Sequence, residues 1–147
     1  MILVDANLVL YAYHAGAPQH AAAKRWLEEV LSGAEPVGLS WSTILAFLRI
    51  GTSPRVFEHP YRIKEAAAIV SSWLDCPSVA VLRPGDRYWE ILRELLIEAR
   101  AEGALVSDAA LAALAIEHAA TLCSTDRDFR RFTRLKLSNP IEANPEP

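Results

Sequence analysis

The stretch that decides this fold is Leu122-Cys123-Ser124-Thr125-Asp126-Arg127-Asp128-Phe129. A short apolar run, 119–123, ends here, and three residue types that favour helix N-termini follow it at 124–126. The pattern predicts a buried strand that turns into a helix, with two carboxylates at the turn. Because ligands of open α/β sheets bind at the carboxyl ends of strands, Asp126 and Asp128 are expected to lie at the functional site.

Apolar β-type runs and helical stretches alternate along the rest of the chain. Strands are predicted at 2–4, 37–40, 79–82, 121–124 and 135–137. Helices are predicted at 8–14, 18–31, 42–50, 62–74, 86–101 (with Asp86 as its cap) and 109–118. This alternation predicts an α/β protein with a mostly parallel sheet of four to five strands and helices on both faces.

The totals limit the class of protein. A chain of 147 residues, 52% of them hydrophobic, predicts one domain with a substantial core, which we place at 1–140 and follow with a polar tail at 141–147. The net charge of −3 argues against a basic nucleic-acid binder as a whole, although a local basic patch is compatible with it.

Cysteine content and the first residues predict a cytoplasmic protein. Cys76 and Cys123 form no disulfide framework and no metal-binding motif, which fits a reducing compartment. The chain opens on a predicted strand rather than on a signal peptide, and no apolar run reaches the roughly 18 residues that a membrane span needs.

Carboxylates from three segments are expected at one edge of the sheet. Asp5 ends the first strand, Asp126 and Asp128 follow the fourth, and Asp108 is placed at the start of helix 109–118, facing the same edge. Each has a simpler interpretation as a helix-capping residue, and Thr125 with Asp128 even resembles a capping box. Capping, however, does not require the acids to converge, so their convergence favours a shared site.

Such a cluster would bind a divalent cation. Closely packed carboxylates repel one another, and a cation removes that conflict. Oxygen ligands without Cys or His select Mg²⁺ or Mn²⁺. One or two such ions could activate a water and stabilise the leaving oxygen in phosphodiester cleavage. The chain has no glycine-rich phosphate loop, so use of a nucleoside triphosphate is not expected.

Several segments of the chain resemble those of a known protein family. The stretch Met1-Ile2-Leu3-Val4-Asp5-Ala6-Asn7 resembles the opening of a PIN domain, and 107–118 and 124–129 resemble its third and fourth blocks. The segments 40–50 and 52–57 resemble the second block of VapC-type toxins. The resemblance covers residues 1 to about 140 and implies a PIN-like three-layer α/β/α sandwich.

The resemblance also implies a function. It implies a Mg²⁺-dependent endoribonuclease that forms a homodimer and is inhibited by a cognate antitoxin. Asp5, Asp108 and Asp126 match family acids that hold the metal, and Asp128 matches an accessory acid. We expect structured RNA, such as tRNA or rRNA, to be cut in single-stranded loops, since an unpaired strand can enter a narrow acidic cleft.

One departure from the family bears on activity. The family usually carries Glu in the second block, where this chain has Ala46. Either the remaining acids suffice, or Glu58 or Asp86 reaches in from a loop, or the protein is a weak or inactive nuclease that acts as a binding module for its antitoxin.

Several polar and basic residues are candidates for supporting roles. Asn7 either hydrogen-bonds Asp5 or a water at the cation, or caps a helix; Ser42, Ser124 and Thr125 either orient carboxylates or phosphate, or cap helices. Arg127, Arg130 and Arg131, beside Asp126, and Arg49, in the second block, are candidates for binding RNA phosphates, with a solvated surface as the alternative.

Large apolar side chains in the middle of the chain leave two possibilities open. Trp41, Phe47 and Trp73 either pack in the core or line a groove for an antitoxin helix or a dimer contact.

Overall fold

The protein folds around a five-stranded, wholly parallel sheet. A computed structural model describes residues 1–142. The strands are β1 (Ile2–Val4), β2 (Val37–Leu39), β3 (Val79–Val81), β4 (Thr121–Cys123) and β5 (Leu137–Ser138), in the order β3-β2-β1-β4-β5. Strand β1, which Asp5 follows, therefore lies at the centre of the sheet, directly beside β4, which Ser124 follows.

Helices cover both faces of the sheet. They are α1 (Ala6–Tyr13), α2 (His20–Ser32), α3 (Trp41–Gly51), α4 (Ile63–Leu74), α5 (Tyr88–Glu98) and α6 (Ala104–Glu117), and a 3₁₀ helix spans Arg127–Arg131. Side chains alternate along β1, so that Ile2 and Val4 pack with α1 to α4 while Leu3 packs with α5 and α6. The predicted three-layer α/β/α architecture is confirmed.

The predicted start of α6 was wrong. The helix begins at Ala104 rather than at Ala109, directly after Gly103, whose φ of +57° suits a residue without a Cβ. Leu105 packs against the core between the sheet and helices α5 and α6, which explains why the helix extends beyond the capping signal at Ser107. Asp108 therefore lies in the second turn of α6, where it cannot serve as an N-terminal cap.

The predicted cap of α5 was also wrong. The helix begins at Tyr88, and Asp86 makes no capping hydrogen bond. The preceding loop is held instead by Glu117 of α6, which accepts hydrogen bonds from the backbone N–H of Gly85 at 2.6 Å and of Arg87 at 3.0 Å. A cap supplied by a distant helix leaves no local sequence signal.

Two further predictions are settled by packing. Phe47 and Trp73 are fully buried core residues, whereas Trp41 is 48% exposed. Ile141 packs against the core between the sheet and helices α1 to α4, so contacts with the domain continue past residue 140. The rest of the predicted tail, 143–147, lies outside the described residues. No helix within 1–142 combines the length and apolar character needed to cross a membrane.

Candidate active site

Ser124 connects the polar groups that follow the two central strands. The parallel register pairs Val4 with Cys123, so the next residues, Asp5 and Ser124, lie side by side. The Ser124 hydroxyl donates to Oδ2 of Asp5 at 2.7 Å and accepts a hydrogen bond from the backbone N–H of Asp126 at 3.0 Å. One buried hydroxyl thus fixes the carboxylate of Asp5 relative to the backbone of Asp126.

The turn after β4 arranges the next two acids. Asp126 caps the 3₁₀ helix, because its Oδ1 accepts a hydrogen bond from the backbone N–H of Asp128 at 2.9 Å. The predicted capping box that paired Thr125 with Asp128 was wrong, since Asp126 is the capping residue. Its other carboxylate oxygen makes no hydrogen bond to a described residue.

Three carboxylates come together at the edge of the sheet. Oxygens of Asp108, Asp126 and Asp128 lie within 4.8 Å of one another, a separation that one cation could bridge. Asp5 lies outside this triangle and its carboxylate is occupied by Ser124 and by the N–H of Ala6, at 2.7 Å. We define the three close acids as the acid triad.

Two acids of the site have a raised pKa. The pKa of Asp108 is raised to about 6, mainly by burial and further by the charges of Asp126, Asp5 and Asp128. Burial also raises the pKa of Asp5, with a smaller contribution from Asp126, while the hydrogen bonds from Ser124 and Ala6 oppose the rise. Asp5 is therefore electrostatically part of the site although it lies outside the triad.

Asn7 has a free acceptor beside this cluster. Its Nδ2 donates to the Ser124 hydroxyl at 3.3 Å, whereas its Oδ1 is buried without a hydrogen-bond donor among residues 1–142. The alternative of Asn7 as a helix cap is excluded, because Asp5 caps α1 and Asn7 lies within the first turn. A buried, unpaired amide oxygen is a group that a cation or a bound water would satisfy.

The other predicted polar residues lie at the margins. Ser42 hydrogen-bonds the Ser40 hydroxyl, with 2.8 Å between the oxygens, and reaches no carboxylate of the described chain. Thr125 lines a cavity of about 140 Å³ beside Asp126, together with Arg127, Arg130 and Asn139. Asn139 was missed by the sequence interpretation, yet it follows β5 and obeys the same rule that pointed to Asp5 and Asp126.

The predicted RNA-binding arginines are exposed and available. Arg49, Arg127, Arg130 and Arg131 all reach solvent, and none forms an ion pair within residues 1–142. Arg134, the next arginine along, instead pairs with Glu94 at 2.6 Å. Arg127 and Arg130 therefore border Asp126 without an ion-pair partner among residues 1–142, whereas Arg49 lies on α3.

Neither of the two candidate carboxylates, Glu58 and Asp86, takes the place of the one missing at Ala46. Glu58 lines a separate cavity with His14 and Phe57, and Asp86 sits in the loop held by Glu117. Neither is among the charges that raise the pKa of Asp108. The interpretation in which one of them swings into the site has no support in this arrangement.

Comparison with known proteins identifies the class that this fold and site define. The PIN domain family model matches residues 2–135, and the chain belongs to that family. Over 140 residues it is 40% identical to Ribonuclease VapC37 of Mycobacterium tuberculosis, covering 95% of this chain and 97% of that protein. Over 142 residues it is 39% identical to VapC ribonuclease Mb2897 of Mycobacterium bovis, covering 97% of each.

Solved structures share the fold. VapBC2 of Rickettsia felis, bound to a promoter DNA fragment, aligns with a TM-score of 0.69 at 21% identity, covering 94% of this chain and 98% of that one. VapC20 of Mycobacterium tuberculosis, a toxin that cleaves the sarcin–ricin loop, aligns with a TM-score of 0.65 at 23% identity, covering 88% and 93%. The resemblance to VapC-type PIN domains is confirmed.

Proposed function

We propose that this protein is a divalent-metal-dependent endoribonuclease, the toxin of a toxin–antitoxin pair that acts in the cytoplasm. The observation that carries the proposal is the acid triad, whose carboxylate oxygens lie within 4.8 Å of one another at the carboxyl edge of a parallel sheet. Similarity to VapC ribonucleases over nearly the whole chain supports RNA as the substrate. We expect cuts in unpaired loops of structured RNA.

The residues present fit a hard divalent cation, Mg²⁺ or Mn²⁺. Asp108, Asp126 and Asp128 supply only oxygen ligands. The pKa of Asp108 is raised first by burial and then by the neighbouring negative charges, and a cation would offset both effects. Asp5 and the unpaired Oδ1 of Asn7 complete the polar surroundings. When bound, the ion would supply charge stabilisation for phosphodiester hydrolysis.

The chain's own residues position the reaction. Ser124 holds Asp5 and the backbone of Asp126 in fixed relation, so the acids need not reorganise when RNA arrives. Arg127 and Arg130, which line the cavity beside Asp126, would hold the phosphates next to the scissile one.

Cleavage of an RNA hairpin with a labelled loop tests the proposal. We expect cleavage with Mg²⁺ or Mn²⁺, none in excess EDTA, and a loss of at least about 100-fold for Asp126→Asn. Asp75→Asn, which changes an exposed acid at the end of α4, is the matched control and should cleave at the wild-type rate. Equal cleavage by Asp126→Asn, or cleavage that survives EDTA, would contradict the proposal.

The second candidate is a binding module with little turnover, which Ala46 favours. Ala46 follows Ser42 by one turn of α3, and a helical side chain at 46 leans back toward the strand ends. Ala46→Glu restores the family's acid there. If the missing carboxylate limits turnover, this variant cleaves faster than the wild type at the same Mg²⁺ concentration; no cleavage by either protein favours the binding module.

The proposed partners are an antitoxin and a second copy of the chain. Two cavities, of about 360 and 530 Å³, meet at Tyr13, Ala15 and Tyr61 and form a groove with apolar and charged lining residues in which an antitoxin segment could lie. Trp89 and Ile97 are 64% and 63% exposed on α5 and are candidates for a homodimer contact. Phe57→Arg should weaken co-purification with the antitoxin, and Trp89→Arg should lower the mass measured by light scattering.

A further inference from the structure

A cavity of about 220 Å³ lies one strand away from Asp5 and takes no part in the chemistry proposed above. It opens at the carboxyl ends of β2 and β3, between the start of α3 and the face of α6. Its lining includes Trp41, Ser42, Arg83, Pro84, Ala110 and Leu111.

This cavity adjoins the acid triad along the same sheet edge. Thr43, in the first turn of α3, donates its hydroxyl to the carbonyl of Val4 at 3.1 Å, directly before Asp5. Leu111 follows Asp108 by one turn of α6. Neighbouring strands are about 4.8 Å apart. An extended polymer that crosses this edge of the sheet can therefore place consecutive units in the cavity and at the acid triad.

The walls of the cavity are held in place before anything binds. Glu117 accepts two backbone hydrogen bonds from the loop after β3, at 2.6 and 3.0 Å. The ring of His118 lies 2.8 Å from the carbonyl oxygen of Arg83, and the hydroxyl of Tyr88 donates to the carbonyl of Ala110 at 3.2 Å. A preformed cavity avoids part of the ordering cost of binding.

The lining has the chemistry of a base-stacking site. Trp41 leaves 48% of its surface exposed at the cavity, and Leu82, Leu111 and Leu114 supply buried apolar walls. Arg83 is exposed at the rim and has no ion-pair partner in residues 1–142. A flat apolar ring beside a free cation suits a nucleobase with its phosphate.

We propose that this cavity holds an unpaired nucleobase of the RNA substrate next to the cleaved bond, with Trp41 stacking on the base and Arg83 contacting its phosphate. The proposal rests on the function proposed above, and it assigns a position for substrate selection beside the acid triad. It excludes a paired base, because a base in a duplex cannot present its face to Trp41.

Binding measured without cleavage tests this subsite. Anisotropy of a labelled mixed-sequence single-stranded RNA in EDTA is compared for the wild type, Trp41→Ala, Trp41→Phe and Ile63→Ala. Trp41→Ala should weaken binding by roughly 5- to 100-fold, and Trp41→Phe should restore most of it because the ring can still stack. Ile63→Ala, which removes an exposed apolar side chain at the start of α4 and outside the cavity, should bind within about twofold of wild type. Arg83→Gln should reduce the slope of the logarithm of the binding constant against the logarithm of the salt concentration by about one, because one phosphate contact is lost.

The outcomes separate the subsite from the nuclease function. Unchanged affinity in Trp41→Ala overturns the subsite even if the wild type cleaves RNA. Loss of affinity together with dissociation of an oligomer, seen by light scattering, also overturns it, because Trp41 then belongs to a contact between copies. Binding that depends on Trp41 in a protein that never cleaves RNA supports the subsite and contradicts the nuclease function.

Discussion

At the scale of single residues, Ser124 matters most for the geometry of the site. It is buried and bonds to Asp5, Asn7 and the backbone of Asp126 at once. Its short side chain follows β4 directly, so the parallel pairing of β1 with β4 decides which groups it can reach. The chain thus uses a hydroxyl, and not a further charge, to order neighbouring carboxylates.

Ser124→Ala should therefore impair catalysis more than folding. The change frees Asp5 and leaves the N–H of Asp126 without its acceptor, and we expect RNA cleavage to fall by about 10- to 100-fold. The free energy of unfolding should fall by only about 1 kcal/mol. Cleavage rates and urea melts check both numbers. Ser72→Ala, which removes an exposed hydroxyl bonded to a carbonyl of its own helix, is the control; an equal loss of cleavage in the control would contradict the assignment.

Asp108 should give the metal-free protein a distinct pH dependence. Its folded pKa of about 6 lies above the ordinary aspartate pKa of 3.8, so the folded state binds this proton more tightly than the unfolded state. The stability that the protonated carboxyl contributes is present below about pH 4 and is lost as the pH rises through 6. Asp108→Asn should thus stabilise the metal-free protein at pH 7, by about 1 kcal/mol because solvent screens a partly exposed carboxylate.

Denaturant melts in EDTA at pH 4 to 8 measure this difference. The gain of Asp108→Asn over wild type should be close to zero at pH 4 and should reach its full value above pH 6. Asp75→Asn, at an exposed position, should show no such gain. A stability difference that is independent of pH would refute the electrostatic origin.

At the scale of elements, α6 joins two parts of the sheet edge. It carries Asp108 into the acid triad near its start and ends at Glu117, which holds the loop between β3 and α5. Residues 111–115 of α6 are all buried. This burial fits a helix that is held between the acid triad and the neighbouring cavity. Movement of α6 would disturb both places.

Glu117→Gln should loosen the Gly85–Arg87 loop without unfolding α6. The neutral side chain accepts hydrogen bonds more weakly, so we expect a loss of about 1–2 kcal/mol. Faster hydrogen exchange at the amides of Gly85 and Arg87 would locate the effect. Glu94→Gln breaks an ion pair of similar length to Arg134, but one that joins two side chains and holds no backbone group, and should cost under about 1 kcal/mol. Unchanged exchange in Glu117→Gln would contradict the role of this carboxylate.

At the scale of the whole molecule, the cation should contribute to the stability of the fold. The acid triad draws its ligands from α6 and the 3₁₀ helix, so the complete site exists only in the folded chain. Mg²⁺ at about 100 times its dissociation constant should add roughly 2.7 kcal/mol. For a domain of this size that corresponds to a rise of about 5–10 °C in Tm.

Thermal melts at constant ionic strength, with and without Mg²⁺, measure the rise. Asp126→Asn should abolish most of it, whereas Asp75→Asn should retain it. A Tm that does not respond to Mg²⁺ in the wild type, or responds equally in Asp126→Asn, would show that the cation does not use the triad.

The sequence by itself determined the α/β class, the strand ends and the set of acids, because apolar runs and capping residues are local signals. It misplaced the start of α6 and the cap of α5, because Leu105 and Glu117 act through distant packing partners. Only the tertiary structure decided that Asp128 joins Asp108 and Asp126 in the close triangle while Asp5 stands behind Ser124. Side-chain convergence depends on strand order and helix placement, which no stretch of the chain encodes alone.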